Sequence, residues 1–150
     1  MSELLRPDHP IQKLLFFTLQ VIDDALRLKL EDSIEELAES RAWVLEAPQV
    51  VTVDEDWQKV SRADTPFQGT GVILPIYSGH PPNVVPPDVD RRQLDEVTDL
   101  VKQLCAFSQA NDIAFEGELD QEFVGTINRG KMDRSLAEMF LGEWRRHLGS

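Results

Sequence analysis

The apolar and polar positions divide the chain into segments of two periods. The longest apolar stretch is residues 11–30. Ile11, Leu14, Leu15, Leu19, Ile22, Ala25 and Leu26 recur there at spacings of three and four, with Phe16, Phe17, Val21 and Leu28 on other faces. The spacing predicts one long helix, capped by Asp8 with Pro10 in its first turn. A helix that is apolar nearly all round is buried or shared, so the segment is expected to be a central core helix or the seam of a homodimer. Ser33 and Glu36 then match a capping box, and Ile34, Leu37, Ala38 and Leu45 predict a second helix that Pro48 ends. Trp43, Val44 and Leu45 are consecutive, so residues 42–46 suit a strand as well.

Period two takes over next. Val50 to Val53 predicts a short strand, followed by an acidic turn at Asp54, Glu55 and Asp56. A polar stretch with Pro66, Gly69 and Gly71 reads as irregular. Val72 to Tyr77 predicts another strand, which Pro75 confines to an edge or a bulge. Residues 78–88 hold four prolines and read as a stiff internal loop. Asp88 or Asp90 then caps an amphipathic helix with Leu94, Val97, Val101, Leu104, Cys105 and Ser108 on its inner face, ending near Asn111. Asp95, Glu96, Asp99 and Lys102 lie mostly outside that face. Residues 113–119 and 123–127 alternate as a hairpin, with Ile113, Phe115, Gly117, Leu119, Phe123, Gly125 and Ile127 on one side. A last helix runs from Met132 or Asp133 to Leu148.

The expected architecture is a single α+β domain over residues 1–150. About four helices pack on a small antiparallel sheet in the order ααββ-αββα, with a C-terminal β-hairpin followed by a terminal helix. A chain of 150 residues is long enough to support such a core without disulfide or metal.

Charge narrows the functional classes. Lys and Arg number 15 against 27 Asp and Glu, a formal net charge of −12. That excess opposes nucleic-acid binding and an anionic membrane surface as partner, and it suits a basic protein partner. Solubility is the blander role for most of it. The charge is uneven: residues 129–150 hold five bases and three acids, whereas residues 1–128 hold ten bases and 24 acids. Cys105 is the only cysteine, which rules out an intrachain disulfide and suits a reducing compartment. No basic segment followed by an apolar one opens the chain, so no signal peptide and a cytoplasmic location are expected.

Candidate chemistry is sparse. His9, His80 and His147 have no ligand spacing among themselves and Cys105 has no cysteine partner, so no metal site and no cofactor are expected. Cys105 lies on an apolar helix face and reads as an inert thiol. Carboxylates are the remaining feature. Glu116, Glu118, Asp120 and Glu122 come from the hairpin, with no base between Asn111 and Asn128. Glu116 and Glu118 share the face opposite Phe115 and Leu119, where alternation predicts solvent. Buried as a pair, they would be acid/base groups or ligands for a hard cation. Asp54, Glu55 and Asp56 form a second patch. Glu31, Asp32, Glu35, Glu36 and Glu39 form a third, whose plainest role is to favour the dipole at a helix start.

No catalytic signature emerges, so the leading expectation is a non-catalytic protein-binding module whose acidic surface meets a basic protein. Immunity proteins and antitoxin-like inhibitors share that physical type. Its contact residues would be Glu116, Glu118, Asp120 and Glu122, or Asp54, Glu55 and Asp56. A structural or assembly subunit, homodimeric through helix 11–30, ranks second. An enzyme with a shallow carboxylate site ranks last.

Overall fold

A computed structural model describes residues 11–19, 22–53, 69–77, 85–120 and 122–149. Its first element overturns the expected helix 11–30. Residues Ile11–Thr18 are a strand, β1, and a separate helix, α1, spans Asp24–Glu39. The reason lies in the run Leu14-Leu15-Phe16-Phe17. A short continuous apolar run fits a strand buried on both faces as well as a buried helix, and β1 takes the centre of a sheet. Leu14 and Phe16 face the helices, while Leu15 and Phe17 are buried on the opposite face against Val51 and Ile73. A segment buried in this way offers no helical seam to a second copy.

The Asp23 side chain starts α1, accepting from the Leu26 N–H at 2.8 Å. Ser33 is therefore not a cap. It lies in mid-helix, where its hydroxyl and carbonyl oxygens accept from the Gln103 amide at 2.7 and 3.1 Å. Residues 42–46 are neither helix nor strand.

The remaining strands are β2 (Gln49–Val53), β3 (Gly69–Tyr77), β4 (Phe115–Leu119), β5 (Glu122–Asn128) and β6 (Lys131–Met132). They form one antiparallel sheet in the order β2-β3-β1-β4-β5-β6. Pro75 keeps its expected edge character locally. It pairs with Lys13 of β1, whereas β2 pairs with β3 only from Ile73 to Gly69, so the missing N–H costs no bond to β2.

Helix α2 spans Pro87–Asn111, so the proline-rich loop ends at Pro86; residues 78–84 lie outside the described ones. Pro87 opens it at a position whose N–H is unused, with Asp88 and Asp90 in the first turn. Asp112 closes it in the left-handed conformation, its N–H donating to the Ser108 carbonyl. The last helix begins wide: Ser135–Gly142 winds as a π-helix and Glu143–Gly149 continues it as α3. Among the described residues there are three α-helices rather than four, in the order βαββαβββα.

The described helices lie on one face of the sheet. Leu30 and Ile34 of α1, Leu94, Val97, Leu100, Val101 and Leu104 of α2, and Leu136 and Leu141 of the last helix meet Leu14, Phe16, Val72, Leu74, Phe115 and Ile127. The last helix is anchored by Asp133. One of its carboxylate oxygens accepts from the Leu136 N–H at 2.9 Å and the other from the Thr126 hydroxyl at 3.0 Å. Asp133→Ala removes a helix cap and a tie to β5 together. It is expected to cost about 1–2 kcal/mol in a denaturant titration.

Candidate functional site

The acidic hairpin was the first candidate, and β4 and β5 do form a hairpin. Its carboxylates do not make one exposed patch. Glu118 pairs across the sheet with Leu15 on one side and Phe123 on the other, and Glu116 with Phe17 and Thr126. Leu15 and Phe17 are 3% and 8% exposed, so the outer face of the sheet is apolar at its centre. Glu118 is accordingly buried at 5% exposure and Glu116 half-buried. The solvated face expected from alternation is therefore not found there, because alternation within β4 carries no information about its neighbour β1.

Asp120 is a turn residue. It adopts a left-handed conformation with φ of 49°, accepts from the Lys13 N–H at 2.9 Å and donates its own N–H to the Lys13 carbonyl at 3.0 Å. This reciprocal pair extends the β1–β4 ladder by one residue. Of the four, Glu122 alone is an exposed carboxylate without a hydrogen bond among the described residues. Asp54, Glu55 and Asp56 lie outside the described residues. No three of His, Cys, Asp and Glu gather as a metal site among the described residues. Near the last helix, Met132, Asp133, Arg134, Ala137 and Glu138 line an open groove of about 490 Å³. The Arg134–Glu138 ion pair, 2.6 Å long, lies along it.

The third acidic cluster changes position. Glu31, Asp32, Glu35, Glu36 and Glu39 sit in the middle and at the C-terminal end of α1, not at a helix start, because the helix begins nine residues before Ser33. Asp32, Glu35, Glu36 and Glu39 are exposed, and no basic residue occupies the last turn. Glu36 and Glu39 in that turn set like charge against the negative end of the helix dipole, a cost of a few tenths of a kcal/mol per group. Glu31 is compensated by Arg27, 3.3 Å away. The helix is firmly seated: Leu30 and Ile34 enter the core, Gln103 grips Ser33, and Arg41 just beyond its end pairs with Asp99 of α2 at 2.6 Å.

Glu96 is the feature that sequence reasoning missed. It is 1% exposed, facing inward with Gln93, although it was grouped with the outer residues of its helix. Its carboxylate accepts from the Val44 N–H at 2.8 Å. Burial pushes it above the ordinary carboxylate value, against the opposing pull of that hydrogen bond and of Arg41 and Arg92. The signal was available in the spacing. Gln93, Glu96, Val97, Leu100, Leu104 and Phe107 form one stripe at intervals of three and four. Gln93 does parallel work, its side-chain oxygen accepting from the Tyr77 N–H at 3.1 Å.

No family model matches the chain, and neither a curated protein nor a solved structure matches it. Site geometry alone therefore carries the functional argument. Among the described residues, no helix is long and apolar enough to cross a membrane.

Proposed function

We propose that the protein is a non-catalytic protein-binding module, immunity- or inhibitor-like, whose acidic surface meets a basic protein partner. The supporting observation is the exposed face of α1. Glu36 and Glu39 oppose the dipole of their own helix, where fold stability alone would place cations, and Asp32 and Glu35 continue the same exposed face. A face locked in place by Leu30, Ile34 and Ser33 is also preorganised, which lowers the entropy lost on docking. Complementary charge would speed association and select the partner.

The test replaces Asp32 with Asn and Glu35, Glu36 and Glu39 with Gln together. Basic proteins captured by the wild type at low salt are identified, and the association rate of each is measured with both forms. The expected outcome is a rate lower by about tenfold or more in the variant, with the wild-type rate falling steeply as salt rises. Equal rates for the two forms, or a neutral partner held unchanged at high salt, would sink the proposal.

A further inference from the structure

The connector between α1 and β2, residues 40–48, has a chemically unusual fastening. It contributes no strand or helix. It is held by side chains: Trp43 donates its indole N–H to the Ala38 carbonyl at 2.9 Å, and Arg41 reaches Asp99 while its guanidinium lies 5.4 Å from the Trp43 ring centre. The inward tie is the Val44 N–H to the Glu96 carboxylate, 2.8 Å long, on a residue 1% exposed. Fastening a loop onto a buried carboxylate makes the fastening depend on a proton. We propose that Glu96 and this connector form a proton-linked clasp, closed most tightly when Glu96 is protonated and loosened when it ionises.

Solvation of the carboxylate sets the direction. With the connector seated, the carboxylate is cut off from water, and a charge there is costly. With the connector lifted, the same carboxylate meets water and ionises at an ordinary value. Among the described residues, Arg41 from the connector and Arg92 one turn earlier on α2 act on it, and Asp99 holds the Arg41 guanidinium at 2.6 Å. The two arginines favour the ionised form, but burial outweighs them. The seated state therefore binds the proton more tightly than the lifted state. Linkage fixes the sign: the clasp is strongest below the ordinary carboxylate value and weakens as pH rises through the raised value of Glu96. Neutral Glu96 keeps a carbonyl oxygen to accept from Val44, so protonation removes the charge without removing the bond. Because the connector continues α1, the hold on the acidic end of that helix becomes pH-dependent. The clasp itself does not depend on the binding reading of α1.

Amide hydrogen exchange on the full chain tests it, as the protection factor of Val44 at a series of pH values. In the wild type, protection is expected to fall by up to about tenfold per pH unit between the ordinary carboxylate value and the raised one, as one proton requires. Glu96→Gln keeps an acceptor oxygen and cannot ionise, so Val44 protection in it should be flat with pH, with Leu104 protected throughout as a check on the fold. A flat wild-type profile, or the same fall in Glu96→Gln, would overturn the clasp. A carboxyl carbon titration of wild-type Glu96 decides the matter even if the variant fails to fold. Its midpoint should coincide with the upper end of the Val44 transition, and a separate midpoint counts against the proposal.

Discussion

Replacing Gly125 with alanine is expected to lower stability by about 4 kcal/mol, a large share of the total for a domain of this size. Two costs combine. Gly125 has a φ of +151°, a conformation that residues with a Cβ rarely adopt. A Cβ placed there would also lie 2.5 Å from the Leu136 Cβ, 2.6 Å from its backbone nitrogen and 2.8 Å from an Asp133 carboxylate oxygen. Two of these contacts are to atoms that cannot swing aside. Leu136 is fully buried, and its N–H is already committed to Asp133. Relief would require the whole last helix to leave β5. The variant should therefore show a lower denaturation midpoint together with loss of the Trp144 environment, since Trp144 on that helix donates a 2.8 Å hydrogen bond to Asp90 of α2. A loss below about 1 kcal/mol would show that the helix adjusts freely and that the close approach is not structural.

That dependence on a close approach also marks how far the sequence could be read. The α+β class, the hairpin of β4 and β5, helix α2 and the strands near residues 50 and 72 all follow from local periodicity. The misreadings arise where burial is decided by distant residues. Leu14 to Phe17 satisfy helical spacing and strand packing equally, and only a sheet on both sides of β1 settles the matter. Once residues 11–18 become a strand, α1 begins at Asp24 and the acids after Ser33 move from its start to its end. Glu118 follows the same logic. Its own strand alternates as an exposed face would, yet Leu15 across the ladder is buried. Glu96 is different, because its inward position was written in the i, i+3, i+4 stripe of α2. A carboxylate is ordinarily left in water, a rule that fails where it has a buried partner. The π-helical start of the last helix had no local signal at all.

The second large effect is expected at Phe16, and it takes the form of a coupling. Phe16 is fully buried on β1, directly opposite Gly117 of β4, which in turn faces Gly125 of β5. The two glycines leave a trough in the sheet. The Phe16 ring fills one part of it, so that a Cβ on Gly117 would lie 2.6 and 2.9 Å from two ring carbons and 3.1 Å from the Val124 side chain. Phe16→Ala should cost about 3–5 kcal/mol through lost burial and the cavity left behind. Gly117→Ala should cost about 1–3 kcal/mol by forcing the ring out of the trough. The two costs share their main cause, because once the ring is gone the added methyl group keeps only the 3.1 Å contact with the Val124 side chain. The double variant is therefore expected to be more stable than the sum of the single losses by more than about 1 kcal/mol. Chemical denaturation of the four forms measures this directly. Additive losses would mean that the ring and the glycine do not share space, and the trough would then play no part in fixing the register of β1 on β4.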